Sequence, residues 1–229
     1  MGFNGKYLRL FKTQANFEAA YNGSGYTEPW ASCVIDNEQC EYNKPFNNNG
    51  HEYVDLGLPS GTLWATCNVG GATPADGGLA FAWGEVETKD EYTMETYKYA
   101  NGSSVFDNSA FTKYNPSDGL QYLLPEDDVA HVVMGGDWHM PNVAQYVELM
   151  ENGSFTYKSG LFTFTSSVNG NQMKIRFNNT GRIWLADLNT GGCKWAQVAE
   201  WLGGGSNRYL GTARYYGYSV RGVIGNIFQ

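Results

Sequence analysis

The chain has 229 residues, of which 42% are hydrophobic, 15% aromatic and only 17% charged, and it carries 29 glycines. That length can bury a core without metal or disulfide support, and the glycine turns and aromatics favour short β-strands over helix bundles. The net charge of −8 argues against duplex binding, and no apolar run approaches the 18 or so residues of a membrane span.

In chain order, Lys6–Phe11 alternates as a strand. Thr13 can cap a short helix through Tyr21, with Phe17 and Tyr21 at i, i+4. Trp30–Ile35 and Gln39–Tyr42 read as a hairpin around Asp36-Asn37. The polar, turn-prone Asn47-Asn48-Asn49-Gly50 marks a boundary, so residues 1–46 form a small βαββ module and 47–229 a larger domain.

The larger domain opens with strand-like Tyr53–Leu58 and Thr62–Asn68, joined by Pro59-Ser60-Gly61. Residues 85–124 lack periodicity and predict long loops. Two helices follow. Glu126-Asp127-Asp128 supplies first-turn acids before Val129, Val132 and Val133. Asn142 with Gln145 forms a capping box ahead of a stripe of Val143, Tyr146, Val147 and Met150. Leu161–Val168 and Gln172–Phe177 alternate around Asn169-Gly170, the strongest hairpin signal, and Arg182–Leu188, Lys194–Leu202 and Tyr218–Ile224 complete an α+β plan.

Charge is unevenly placed. Residues 1–169 hold 8 Lys+Arg against 21 Asp+Glu, and residues 170–229 hold 7 against 2. The basic, aromatic last third either meets an acidic partner such as a charged glycan or pairs internally with the acidic first part. Cys33, Cys40, Cys67 and Cys193 lack zinc-type spacing; Cys33 and Cys40 either bridge across a hairpin or are buried or free thiols. The N-terminus has no secretory apolar segment, and Lys6 stands where a myristoylation signal needs Ser or Thr.

Glu52-Tyr53-Val54-Asp55-Leu56-Gly57-Leu58-Pro59-Ser60-Gly61-Thr62-Leu63-Trp64-Ala65, then Cys67-Asn68-Val69-Gly70, resembles the opening of the Fibrobacter succinogenes major paralogous domain. Phe81-Ala82-Trp83-Gly84-Glu85, Trp138-His139-Met140-Pro141 and Gly217-Tyr218-Ser219-Val220-Arg221-Gly222-Val223 continue it in family order over residues 51–224. The resemblance implies a C-type lectin-like fold, shared with formylglycine-generating enzymes and with the variable proteins of diversity-generating retroelements. As large apolar bodies, Trp64 and Trp83 are expected to fill the core beneath the loops. Residues 1–46 lie outside the match and resemble leading modules of structural proteins from phages of Bacteroides-like bacteria.

Enzymatic readings are weaker. Formylglycine generation needs paired reactive cysteines near the end of the fold, whereas only Cys193 lies in the last third. His131 and His139 have no spaced partner, the acids at 126–128 suit a helix start better than calcium, and animal-lectin calcium motifs, a Walker loop and a GxSxG elbow are absent. No catalytic residue, metal or cofactor is therefore expected.

What remains is a display surface. Gly191–Tyr218 interleaves Trp195, Trp201, Tyr209, Tyr215 and Tyr216 with Gly, Ser, Asn and Arg, a composition like that of antibody paratopes. Trp195 and Trp201, an even number apart, are assigned to packing. Tyr209, Leu210, Thr212, Arg214, Tyr215 and Tyr216, with Asn207 and Lys194, are the expected ligand contacts. Tyr209, Leu210, Thr212, Ala213, Tyr215 and Tyr216 are also residues that a randomised Asn codon can yield, as in retroelement-diversified proteins. The expected function is non-enzymatic adhesion by a phage-tail or virion receptor binder, with a bacterial surface glycan or protein as receptor. Residues 1–46 would attach to virion proteins or a homo-oligomer, with no nucleic acid and no membrane insertion. A bacterial cell-surface or secreted structural, fimbrial-tip-like protein is the alternative.

Overall fold

A computed structural model describes residues 2–4, 7–9, 32–34, 47–177, 181–202 and 206–225. The chain divides into two compact units, Met1–Pro45 and Phe46–Gln229. In the first, β1 (Gly2–Asn4), β2 (Tyr7–Arg9) and β3 (Ser32–Val34) make an antiparallel sheet in that order. The expected helix to Tyr21, the strand Gln39–Tyr42 and Cys40 lie outside the described residues, so the βαββ reading meets the structure only at β2 and β3.

The second unit is α+β, with antiparallel sheets and two helices. β4 (Asn47–Asn48) turns through Asn49-Gly50, both at positive φ, into β5 (His51–Asp55), the two-residue hairpin that an Asn-Gly pair permits. β5 pairs with β6 (Leu63–Asn68), and β6 pairs with the distant β13 (Arg221–Ile224), giving the order β13-β6-β5-β4. The two ends of the unit thus close on one another. A register shift between Arg221 and Val223 lets both Val220 and Val223 be fully buried.

Helix α1 (Val129–Met134) is capped by Asp128, whose Oδ1 accepts from the amides of Ala130 and His131. Its predicted face is corrected: Val129, Ala130 and Met134 are buried while Val132 and Val133 are each 48% exposed. Six residues make too short a helix to bury a whole stripe, and the cap sets its rotation. Helix α2 (Val143–Glu151) has both halves of the predicted capping box, with Asn142 Oδ1 accepting from Gln145 N at 2.8 Å and Gln145 Oε1 accepting from Asn142 N at 3.0 Å. Tyr146 and Leu149 are the buried centre of its face.

β7 (Gly153–Lys158), β8 (Leu161–Ser166) and β9 (Gln172–Ile175) form an antiparallel meander. The β8–β9 hairpin is the predicted one, with Gly170 at φ +76°. β7 is new. Its turn is Ser159-Gly160, both at positive φ, a weaker signal than Asn-Gly.

β10 (Arg182–Leu188), β11 (Trp195–Leu202) and β12 (Ser206–Ala213) form the central meander. Alternation sends Trp184, Ala186, Ala196 and Val198 into a cluster with Trp83, Tyr97, Tyr99, Tyr114 and Trp138. It sends Ile183, Leu185, Ala199 and Trp201 into a second cluster with Trp64, Tyr146, Leu149 and Phe164. The sheet is therefore buried on both faces. Trp64 and Trp83 are wholly buried. A Cβ added at Gly153 would collide with the Phe164 ring and the Thr165 carbonyl oxygen. Gly153→Ala should therefore cost roughly 1–3 kcal/mol by overpacking, seen as a lower urea midpoint with an unchanged slope.

Candidate functional site

The eight predicted contacts do not share one surface. β12, within the expected display surface, is a regular strand whose cross-strand partners fix its side chains: Arg208, Leu210 and Thr212 face with Glu200, Val198 and Ala196, and Asn207 and Tyr209 face with Trp201 and Ala199. Two predicted contacts are corrected outright. Thr212 is 6% exposed, beneath the Tyr218 hydroxyl at 3.4 Å, because its strand face meets the core. Arg214, expected at the surface, is fully buried.

The Arg214 guanidinium has no carboxylate partner among the described residues. Its Nε donates to the Tyr97 hydroxyl at 2.9 Å, Nη1 to the Cys193 and Tyr114 carbonyls at 2.8 and 3.2 Å, and Nη2 to the Lys113 carbonyl at 3.0 Å. The rings of Phe111, Trp83, Tyr97, Tyr114 and Tyr99 surround it, with centroids 4.6–5.8 Å away. Fork-shaped donors and ring faces together can hold a desolvated cation. Residues 85–124 are correspondingly a packed aromatic segment, short 3-10 turns included, that wraps this side chain.

Asp127 is the second pin of that segment. It accepts from the hydroxyls of Tyr99 at 2.5 Å and Tyr114 at 2.7 Å, and from Nζ of Lys113 at 2.5 Å and Lys98 at 3.2 Å. Burial raises its carboxyl, but those donated bonds outweigh it and hold the group at about 2. Asp128 spends both oxygens on backbone amides, including Met140 N at 2.8 Å, so Asp127 and Asp128 are both occupied structurally, while Glu126 is exposed. Arg221 is the second buried cation, donating to Asn68 Oδ1 and to the carbonyls of Ala65, Thr66 and Lys174. Burial lowers its guanidinium below the ordinary range.

These placements resolve where the basic last third puts its charge. Arg214 and Arg221 are internal, while Arg182 and Arg208 both bind Glu200 within the same third. Burial raises Glu200, and the two arginines' bonds overcome it and lower the carboxyl. Lys194 is different. Its ammonium has no ion pair or hydrogen bond among the described residues and lies 5.1 Å from the Phe106 centroid and 5.6 Å from that of Trp195.

Around Lys194 the structure gathers a row of rings. Trp195 and Phe106 meet edge to face at 4.9 Å, Phe106 and Tyr215 at 5.6 Å, Tyr215 and Tyr216 lie 4.7 Å apart, and Tyr216 and Tyr218 6.1 Å. Trp195, Phe106 and Tyr215 are half-buried, and Tyr216 is 43% exposed. Trp195, assigned to packing, thus lies at the margin of this surface, whereas Trp201 is buried among Tyr146, Phe155 and Phe177. Phe106 was missed because no local pattern in its loop marks it. Gly217 has an ordinary φ and is held to glycine by space, the Tyr92 ring lying 2.9 Å from where a Cβ would be.

Cys193 is 5% exposed and donates to the Asn108 carbonyl at 3.4 Å, and burial pushes its thiol up, the wrong direction for a nucleophile. His131 and His139 face backbone carbonyls of Trp138, Met140 and Gly225. They border an open cleft of about 980 Å³ that none of the eight predicted contacts lines.

Arg214→Met should remove more than about 3 kcal/mol, because four acceptors lose a charged donor, and Arg214→Lys should recover little of it; denaturant unfolding reads both. Asp127 has a folded value below its ordinary 3.8, so its contribution is complete above that pH and is lost as pH falls toward about 2. Asp127→Asn should flatten that acid limb of the stability profile. Comparison with protein families, with curated proteins and with solved structures finds no match for this chain.

Proposed function

We propose that the chain is a non-enzymatic adhesion protein whose second unit, a C-type lectin-like scaffold, presents the ring row Trp195–Phe106–Tyr215–Tyr216 and Lys194 to a receptor. The observation that carries this reading is the Lys194 ammonium, which has no ion pair or hydrogen bond among the described residues, acts on Asp107 only at longer range, and lies near two half-buried rings in a row that runs through Tyr215 to exposed Tyr216. Rings supply contact area at low entropic cost, and a free cation adds recognition of a carboxylate or sulfate. A bacterial surface glycan bearing acidic groups fits that pairing. The buried, raised thiol of Cys193 supports adhesion over formylglycine-type chemistry.

The first unit serves as the attachment module of a phage tail or virion, as its resemblance to leading phage modules implies. Display in many copies would convert weak single contacts into firm attachment. If the segment is diversified, variation without loss of fold is confined to Tyr209, Leu210, Tyr215 and Tyr216, since Thr212 and Ala213 are interior.

The test is binding of the purified chain to Bacteroides-type cells and to an acidic-glycan array. The paired change Lys194→Glu with Tyr216→Ser should weaken binding roughly tenfold or more while circular dichroism stays unchanged. Binding that survives this pair of changes in a folded protein would overturn the assignment.

A further inference from the structure

β12 is the outer strand of the central meander, and the direction of its backbone groups follows from the hydrogen bonds of its neighbours. Trp195 O accepts from Asn189 N at 2.9 Å and Trp201 N donates to Gly181 O at 2.8 Å, so odd-numbered residues of β11 point toward β10. Arg214 N donates to Lys194 O at 3.4 Å, so even-numbered residues of β11 point toward the even-numbered residues of β12. In an antiparallel ladder the alternate residues then face outward. These are Asn207, Tyr209 and Gly211, whose three N–H and three C=O groups have no partner among the described residues. The next outward carbonyl, that of Ala213, is taken by Tyr216 N at 3.2 Å. The open run is therefore bounded at that end and centred on Tyr209.

We infer that β12 is a homodimerisation edge, on which the β12 strand of a second copy of this chain pairs antiparallel about a two-fold axis through Tyr209. In that register Tyr209 faces Tyr209 of the second copy, and Asn207 faces Gly211 in both directions. All six outward groups are then satisfied by six hydrogen bonds. The set 207, 209 and 211 is symmetric about its middle member, which is what an isologous contact requires. Side chains agree. Arg208 falls opposite Leu210 of the second copy, so no like charges meet, and its charge is already matched by Glu200 of its own chain at 2.7 Å. An acidic foreign strand is therefore not needed to neutralise it. Gly211 brings no side chain of its own to the contact, the Asn189 side chain lying where its Cβ would be, and Tyr209, 47% exposed, gains its own counterpart as a cross-strand partner. Lys194 and Tyr216 lie outside the 207–211 run, so pairing leaves the adhesion surface free and doubles it.

Sedimentation velocity of the full chain, from about 1 to about 200 μM, should show a monomer–dimer equilibrium. Tyr209→Pro, which removes one outward N–H and no ladder bond to β11, should shift it to monomer with the circular dichroism spectrum retained. Tyr209→Cys should form a covalent dimer on mild oxidation, because paired strand positions lie within disulfide reach, well above the level of the wild type and of Leu79→Cys at an exposed control position. A wild-type chain that stays monomeric throughout, or a Tyr209→Cys chain that cross-links no more than the Leu79→Cys control, would overturn the inference.

Discussion

One buried cation organises the second unit. Arg214 gives up its hydration to sit among five aromatic rings, and no carboxylate among the described residues repays that cost. Its four donated bonds go instead to segments far apart in sequence: Tyr97, Lys113, Tyr114 and Cys193. A carboxylate would bind the guanidinium to one point. Carbonyls and a phenol tie it to several, so the side chain works as a fastener between the central sheet and a long segment whose strand pairing is a single bridge, Tyr122 to Asp187. Asp127 repeats the device with opposite sign, collecting two phenols and two lysines. Unpaired buried charge is costly, and the dense hydrogen bonding around both groups is what makes their burial tolerable.

The consequence for function is positional. Arg214 immediately precedes Tyr215 and Tyr216, and Lys194 follows Cys193, whose carbonyl Arg214 holds. Trp83 N binds Arg214 O at 2.9 Å, fixing the main chain at the same point. The ring row and the free ammonium thus rest directly on the most constrained part of the interior. Rings that are already ordered lose little entropy when a ligand arrives, which suits attachment by many weak contacts. Of the seven Lys+Arg in the positive last third, Arg214 and Arg221 are spent inside the protein, Arg182 and Arg208 on Glu200, and Lys174, Arg176 and Lys194 remain at least partly exposed.

Local signals were read well and distant ones were not. The Asn142–Gln145 box, the turn at Asn169-Gly170 and the span Arg182–Leu188 follow from residues a few positions apart. The Ser159-Gly160 hairpin escaped because its turn dipeptide is weak and β7 begins in polar residues. β12 escaped because a stretch of Asn, Arg, Tyr and Gly reads as loop, and only pairing with β11 makes it strand. The interior place of Arg214 is set by partners about one hundred residues away, which no local window contains. The same holds for Phe106, whose place beside Trp195 is a property of the fold alone. Of the candidate surface, composition singles out Lys194, Tyr215 and Tyr216, whereas the strand face that carries Tyr209 follows only from pairing with β11.

Native-state hydrogen exchange at the amides of Trp83 and Arg214 tests this view most directly, since both lie at the fastener. If Arg214 holds the unit together, these amides exchange only through global unfolding, with the full denaturant dependence of the whole second unit. Exchange through a local opening, insensitive to denaturant and far below the global free energy, would contradict the account.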